Sequence, residues 1–507
     1  MGKRRYVLPI EIEADPTQAE VTSYAGMLPY LELWSAMGMP RAIDDQVAIC
    51  GSQGWLDRQM VQTLMLLNIG GGDCVSDVDR LESDAGLCSF VRSGELGGLG
   101  RVLRREYERR FRKGRTRTFP AATQIYSFLE SCHDDCEEFS RIEGRAFIPK
   151  PNEHLRSVLA LNDFLVSRVQ GARPKSRATL DSDATLVETY THNAKHCYKG
   201  YRAYQPFNIW WAEQELVLHS EFRDGNVPAG YDVIRVMSDA LRRLPAGVAE
   251  VYTRHDSASY QIDFLAWCER ESEHSEYGRI LFSVSVPICQ EFRAAVAGIT
   301  EWSPEFRVVR GKKYPTNREW AEVVYVPNSQ AVLSDIREPF RFLAIRERLG
   351  NQMVLTELSD QASLPFPVIE MDRVSYKLAG IVTNRREMDA NELIQWHYER
   401  CGKSEEAHSI MKEDFAGGKL PSSKFGANAA WWALMILSMN FEMAMKRLVL
   451  GDDWRRKRMK AVRFHLINIP GRIIMHARQQ TLRVGAEVAC WLAEFRRVIA
   501  ALRPAFA

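Results

Sequence analysis

The sequence of 507 residues contains no apolar run long enough to cross a membrane. Its longest apolar stretch, around Ala427–Met439, is shorter than the ~20 residues that a spanning helix needs, and it includes Asn428. The first residues, Met1–Glu13, mix charged and apolar side chains and lack the apolar core of a secretion signal. These absences argue against a membrane partner and predict a cytoplasmic protein.

Cysteine occurs ten times, but without the paired spacing of a structural zinc site. The nearest approach to a half-site is the segment Cys132-His133-Asp134-Asp135-Cys136, which has no second pair at a suitable distance. The pattern therefore predicts reduced thiols and an ordinary helix surface at this segment, rather than a zinc centre.

The chain also has little net charge, +2, but its basic residues are concentrated in two places. One run lies between Arg101 and Arg117, and a second lies between Arg455 and Arg463. Such unevenness indicates a polyanionic partner, of which nucleic acid is the commonest. The alternative is a pair of solvated helix faces.

Hydrophobic periodicity divides the chain into regions of different secondary structure. Residues 1–150 have helical spacing and are expected to bind DNA ends. Residues 175–287 and 386–445 are predicted to form one α/β catalytic core. Residues 288–385 alternate apolar and polar side chains and predict a β-rich insertion domain. Residues 446–507 predict a basic helical C-terminal region.

The core region predicts three strands, a helix, a strand, a helix and a further strand. This order is that of the ribonuclease-H-like α/β fold, in which the first and fourth strands are neighbours. The predicted fold class is therefore α/β, with a ribonuclease-H-like catalytic core interrupted by a β-rich insertion and flanked by helical N- and C-terminal regions.

Two acidic residues lie where these neighbouring strands would meet. Asp183 lies inside the first strand, where a carboxylate is costly, and Asp256 ends the fourth. Asp181 is the alternative for the first position, because residues two apart on a strand share a face. A single Asp at a strand end is more often a turn or cap residue.

A third carboxylate, Glu405, lies in the helical segment after the insertion. Tyr398, Glu405 and Lys412 are spaced by seven residues, so on one helix they would share a face. Three carboxylates can hold two Mg²⁺ or Mn²⁺ ions, which clamp a phosphodiester and activate a water or a 3′-hydroxyl. A solvated helix glutamate is the alternative for Glu405.

These segments resemble the DDE transposases of bacterial insertion sequences. The resemblance rests on LDSDATLVET, Tyr198-Lys199-Gly200, RHDS and YERCGKSEEAHSIMKEDF. The last segment is similar to the Tyr–Arg–Glu–Lys block of the insertion-sequence group numbered 1380. In that block the Tyr, Glu and Lys correspond to Tyr398, Glu405 and Lys412. The Arg position falls on Cys401, a departure from the pattern, and Arg400 is adjacent.

The resemblance implies catalytic and metal-binding roles for Asp183, Asp256 and Glu405, with two Mg²⁺ or Mn²⁺ ions per site. It also implies a homodimer that binds the terminal inverted repeats of a double-stranded DNA element, then cuts and pastes that element into target DNA. The residues expected to support catalysis or bind DNA are Tyr398, Lys412, Asp181, Arg254, Lys199, Trp302 and Trp320.

Three questions remain open at the level of sequence. Trp302, Tyr314 and Trp320 are candidates to stack on a flipped base, but packing within the β-rich region is the alternative. An inactive DNA-binding descendant of a transposase, or a nuclease or resolvase on the same fold, would leave a similar sequence.

Overall fold

The computed structural model describes residues 20–97, 99–111, 114–270, 276–326, 336, 338–349, 366–371, 374–400, 403–476 and 479–506. The chain divides into two compact units. Unit 1 comprises residues 1–128, 414–416 and 444–507, and unit 2 comprises residues 129–413 and 417–443. No helix of the described residues is long and apolar enough to span a membrane.

Helices dominate unit 1 and both ends of unit 2. Glycine or proline residues fall at many helix boundaries, as their backbone preferences require. The helices are α1 Leu28–Ala36, α2 Met39–Gln46, α3 Asp57–Gly70, α4 Val78–Glu82, α5 Ala85–Leu96, α6 Arg101–Arg109, α7 Ala122–Glu130, α8 Asp135–Glu138, α9 Glu153–Ala172, α10 Val233–Arg242, α11 Ile262–Arg270, α12 Gln290–Ala297, α13 Ala390–Tyr398, α14 Lys403–Ser409, α15 Phe425–Met445, α16 Asp452–Arg455, α17 Met459–Val462 and α18 Ala486–Leu502.

Strands occupy the middle of the chain and one small sheet of unit 1. They are β1 Glu20–Thr22, β2 Arg177–Ala184, β3 Val187–Glu188, β4 Lys195–His196, β5 Arg202–Tyr204, β6 Phe207–Trp211, β7 Leu216–Glu221, β8 Glu250–His255, β9 Leu281–Ser285, β10 Ser303–Val309, β11 Lys312–Glu322, β12 Arg341–Arg348, β13 Val368–Met371, β14 Val374–Thr383, β15 Gly471–His476 and β16 Gln479–Arg483.

Unit 1 is built on a helical core with a small sheet. Buried apolar side chains of α1 and α3 form the core, and α1 packs against α18, where Arg496 contacts Glu32 at 2.7 Å. β15 lies between β1 and β16 in an antiparallel sheet. The C-terminal region, predicted to be helical, therefore also contributes two strands.

Unit 2 contains a large mixed sheet, so the predicted α/β character is confirmed. One half has the order β7-β6-β2-β8-β9, in which β2, β8 and β9 are parallel and β6 is antiparallel to β2 and β7. Among the strands of this half, β2 is the first along the chain and β8 is the fourth. β2 lies in the centre, and β8 is its neighbour. The helices α10 and α11 connect β7 to β8 and β8 to β9.

The mostly apolar helix α15 packs beside edge strand β7. The side chain of Asn440 accepts a hydrogen bond from the Val217 amide at 2.9 Å and donates one to the Val217 carbonyl at 2.8 Å. An edge strand carries backbone groups without a strand partner, so a buried helix amide that pairs with them stabilises this side of the sheet.

The β-rich segment between 288 and 385 extends the same sheet instead of forming a sheet of its own. β14 pairs antiparallel with β9 through Ile381 and Ser285, and β12, β11 and β10 continue outward from β14. The free edge of β9 explains this arrangement, because an unpaired strand edge is satisfied by adding another strand. The strand expected around 351–358 lies outside the described residues.

Candidate active site

Two carboxylates lie at the carboxyl ends of adjacent strands in the unit 2 sheet. β2 and β8 are parallel, with Leu180 opposite Thr253 and, as the last pair, Asp181 opposite Arg254. The same register, continued two residues beyond its last pair, would set Asp183 opposite Asp256. Neighbouring strands are about 4.8 Å apart, so in this register both carboxylates would be within reach of a shared ligand. The pair formed by Asp183 and Asp256 is called the acidic edge below.

Asp256 is held in place by a short helical turn that begins directly after β8. Its carboxylate accepts a hydrogen bond from the Ala258 amide at 3.0 Å and so caps the turn Ser257–Ser259. The side chain remains partly exposed. The capping bond fixes the orientation of the carboxylate and leaves it accessible to a ligand.

Asp181, the alternative for the first catalytic position, has its charge neutralised inside the protein. The side chain is 3% exposed and accepts two hydrogen bonds from the Arg254 guanidinium, at 2.6 and 2.7 Å. Arg254 is 1% exposed and also donates to the Trp396 carbonyl at 2.6 Å. The expectation that Arg254 binds phosphate does not fit this burial. Both residues instead form a buried ion pair beneath the acidic edge.

Two histidines lie next to this ion pair and are buried in the neutral form. His255 is hydrogen-bonded to Ser182 and to Thr253, and His397 is hydrogen-bonded to Ser283 at 2.8 Å and to Ser285 at 3.0 Å. Burial, together with the positive charge of Arg400, lowers the pKa of each to about 3. Their ring nitrogens are therefore occupied by hydroxyl groups, and the acidic edge offers oxygen ligands only.

Arg400 is the site residue that sequence reasoning missed. Its Nη1 lies 3.6 Å from Oδ2 of Asp183, and the residue is 7% exposed. On a continuous helix Arg400 would lie about 100° from the motif position at 401. However, α13 ends at Tyr398, so this angle does not apply. The sequence did contain a signal for Arg400, since it is an arginine directly beside the position where the family block has one.

The third block is divided between separate helical segments. α13 ends at Tyr398, α14 begins at Lys403, and a π-helical turn follows at Ile410–Asp414. The expectation of one helix that carries Tyr398, Glu405 and Lys412 on a common face is therefore wrong. The interruption between two helices and the change from α- to π-helical pitch both alter the angle between residues seven apart.

The members of this block have different surroundings. Tyr398 lies beneath the Arg318 guanidinium, 4.8 Å from its ring centre. Lys412 lies near His408, whose pKa is lowered to about 4 by burial and by the charges of Lys412 and Arg400. The backbone of Glu405 lies in α14, but its side chain and residue Cys401 are outside the described set.

The remaining candidates are spread over the surface and the β-rich region. Lys199 is exposed in the turn between β4 and β5, and its amine lies 5.8 Å from the Tyr198 ring centre. Trp302 stacks on Arg346 at 4.2 Å. Trp320 packs against a cluster that includes Leu343 and Ile345. These contacts favour packing roles for both tryptophans, whereas Tyr314 is 51% exposed.

The described side chains hold no group of three His, Cys, Asp or Glu residues that could bind a metal. Asp183 and Asp256 supply two carboxylates, and a third would come from a residue such as Glu405. Carboxylate oxygens are the ligands that Mg²⁺ and Mn²⁺ prefer, so the residues of the acidic edge fit such an ion.

Comparison with known proteins assigns the chain to a family. The family described as "Transposase DDE domain group 1" matches residues 7–281 and 368–506, and the gap between them, 282–367, covers most of the β-rich segment. No curated protein matches the sequence. The solved structure of piggyBac transposase, in a synaptic complex with hairpin DNA, aligns over 88% of this chain and 80% of that chain, at 10% identity and a TM-score of 0.33. On the extent of the family match, the chain belongs to the group 1 DDE transposases.

Proposed function

We propose that this chain is a metal-dependent transposase that cleaves the ends of a DNA element and joins them to target DNA. The observation that carries the proposal is the acidic edge, found in a member of a DDE transposase family. The proposed catalytic and metal-binding residues are Asp183, Asp256 and Glu405.

The strand order of unit 2 supports a ribonuclease-H-like catalytic core. In this order the first strand is central, the fourth is its parallel neighbour, and the second is antiparallel. The carboxyl ends of the first and fourth strands then meet at one edge, where Asp183 and Asp256 lie. The fold and the position of the two acids are therefore consistent with each other.

Glu405 is proposed as the third carboxylate because its segment resembles the third catalytic block of the family, and its backbone lies in α14. Arg400, three residues before α14 begins, lies 3.6 Å from Asp183. The segment that precedes α14 therefore reaches the acidic edge.

Two divalent ions at this site would stabilise the leaving oxygen and activate a water or a 3′-hydroxyl. The chain's own residues provide the geometry for that chemistry. Asp256 is oriented by its cap, and Asp183 is oriented by Arg400. His255 and His397 are buried and neutral, so they leave the acidic edge to oxygen ligands.

The partners proposed for the chain follow from its family. They are the double-stranded DNA of the element's terminal inverted repeats and of the target, bound by a homodimer in the cytoplasm of a bacterium. We also retain the proposal that the chain belongs to the group numbered 1380. Of the aromatic candidates for a flipped base, Tyr314 has the most exposed ring.

The function is tested by a cleavage and strand-transfer assay with purified chain and Mg²⁺. The substrate is a labelled duplex that carries the inverted repeats flanking the coding segment. Asp183→Asn, Asp256→Asn and Glu405→Gln are compared with Asp239→Asn, a control on α10. We expect cleavage and joining by the parent and the control, and neither reaction by the three variants, each of which still binds DNA.

Other outcomes separate the alternatives. Cleavage without joining would indicate a nuclease or resolvase, and binding without cleavage by the parent would indicate an inactive descendant. Activity that survives in one of the three variants would contradict the role of that carboxylate.

A further inference from the structure

The basic run between Arg101 and Arg117 contains two kinds of arginine. One kind holds the run to the rest of unit 1. Arg110 donates to the carbonyl of Gly51 at 2.7 Å, and Arg117 contacts Asp79 at 2.6 Å. Arg115 contacts Glu95 at 2.5 Å. These three arginines are used by the fold and account for less than half of the run.

The other kind lies on α6 and faces solvent. Arg101, Arg105 and Arg109 are exposed, and among the described residues none of them forms an ion pair or hydrogen bond through its side chain. They are spaced by four residues and so share one face of the helix, which is called the arginine face below. Arg104, beside them, is also exposed and donates to the Leu96 carbonyl at 3.1 Å.

The arginine face is held rigidly by the opposite side of α6. Tyr107 is 7% exposed and is hydrogen-bonded to Gln59, and Arg115 lies over its ring at 5.9 Å. Burial and Glu95 raise the pKa of Tyr107, so its hydroxyl stays protonated. An anchored helix presents its exposed charges in a fixed geometry.

The arrangement is unfavourable for the isolated chain. Arginines four apart on a helix repel one another, and Glu106 and Glu108 are too few to balance the charge, since four arginines against two glutamates leave α6 at +2. Val102, next to this face, is 70% exposed. Like charges beside an exposed apolar side chain indicate that this surface is covered when the protein acts.

We infer that the arginine face of α6 is a duplex DNA-binding surface. Phosphates would neutralise the three guanidinium groups, which rise by about 6 Å of helix axis from one to the next. A helix of this diameter fits the DNA major groove, where Val102 would be placed to contact a thymine methyl group. The inference rests on the proposed function and names the element that would hold the DNA.

The test measures the binding of a labelled 40-base-pair duplex of arbitrary sequence by fluorescence anisotropy over a range of salt concentrations. The variant is the triple substitution Arg101→Gln, Arg105→Gln and Arg109→Gln in the full chain. The control removes the same charge from exposed arginines that have acidic partners: Arg41→Gln, Arg242→Gln and Arg497→Gln.

We expect the slope of log Kd against log salt concentration to fall by about three in the triple variant and by less than one in the control. Equal slopes in the parent and the triple variant would overturn the inference. Loss of binding to phosphatidylserine vesicles, with DNA binding unchanged, would instead assign the face to a membrane and also overturn it.

The two proposals fail in distinguishable ways. If the parent binds no duplex at any salt concentration, the proposed function itself is contradicted. If the parent binds, cleaves and joins DNA but the triple variant has the parental slope, only the assignment of α6 is wrong. A thermal unfolding curve that matches the parent confirms that the triple variant is folded.

Discussion

The acidic edge and the arginine face present charge in opposite ways. At the acidic edge, each carboxylate has a defined partner: Arg400 for Asp183 and the Ala258 amide for Asp256. Beneath it, Asp181 is paired with Arg254. On the arginine face, three like charges are exposed without acidic partners among the described residues. The pairing at the acidic edge fixes the positions of individual oxygen atoms. The exposed like charges of the arginine face produce a positive electrostatic potential over that surface.

This difference determines how each region should respond to substitution. Bond cleavage depends on where individual oxygen atoms lie, so at the proposed site one changed group should abolish it. Affinity for a polyanion depends on the number of neutralised phosphates, so changes on the arginine face should add up in small steps. The predictions below test this contrast.

The largest effect is expected at Asp256. Asp256→Asn and Asp256→Ala should each lower the cleavage rate by about 10³-fold or more, because both remove a carboxylate ligand. Asn can still cap the turn at Ala258, whereas Ala cannot and should lower the free energy of unfolding by about 1 kcal/mol. Rates measured at saturating Mg²⁺, together with denaturant unfolding, check both effects. Residual cleavage close to the parental rate would contradict the role of Asp256.

Arg254→Met should have the next largest effect, which is on stability. It leaves the buried Asp181 carboxylate without its partner, which costs about 3–5 kcal/mol in the free energy of unfolding. Arg177→Met is a matched control on the same pair of strands. The ion pair of Arg177 with Glu250 is 55% exposed on both sides and should contribute less than about 1 kcal/mol. If urea unfolding gave the same loss of free energy of unfolding for both variants, burial would not explain the difference in strength expected between the two ion pairs.

His397 should make stability depend on pH. Its pKa of about 3 in the folded protein lies below the ordinary value of 6.5, so between these values the unfolded chain binds a proton that the folded chain does not. Stability should therefore rise from pH 3 to 6.5 and stay level above that range. His397→Gln should reduce the slope between pH 4 and 6 by about 1.4 kcal/mol per pH unit. An unchanged slope in thermal or urea unfolding would contradict this assignment.

Arg400 should compete with a metal ion for Asp183. Arg400→Ala removes a positive charge 3.6 Å from a proposed ligand oxygen, so Mn²⁺ should bind roughly tenfold more tightly. Arg400→Lys retains the charge and should bind Mn²⁺ nearly as the parent does. Calorimetric titration of each purified variant with Mn²⁺ measures this directly. Weaker binding in Arg400→Ala would show that Arg400 supports the metal site by another route.

The smallest effect is expected for a single substitution on the arginine face. Arg105→Gln should lower the salt slope of duplex binding by about one and leave the cleavage rate at saturating DNA unchanged. The same anisotropy and cleavage assays provide both numbers. A loss of catalysis from this one change would contradict the contrast, because it would show that α6 positions DNA as strictly as the acidic edge positions its ligands.

The sequence alone determined the secondary structure pattern and the identity of the neighbouring strands. Alternation of apolar residues located β2 and β8, and their order in the chain predicted that Asp183 and Asp256 would be adjacent. Local signals also located the helices of the N-terminal region, because apolar spacing is a property of neighbouring residues. Residues whose roles depend on contacts with other segments, such as Arg254 and Arg400, were assigned less well.

Only the tertiary structure distinguished Asp181 from Asp183. The two residues share a face of β2, and the sequence around them does not say which is buried. Arg254, from another strand, neutralises the first, and Arg400, from beyond the end of α13, contacts the second. Likewise, the extension of the sheet by β14 and the break between α13 and α14 depend on contacts between distant parts of the chain. Burial and pairing of charge are set by such contacts, and the order of residues in one segment does not determine them.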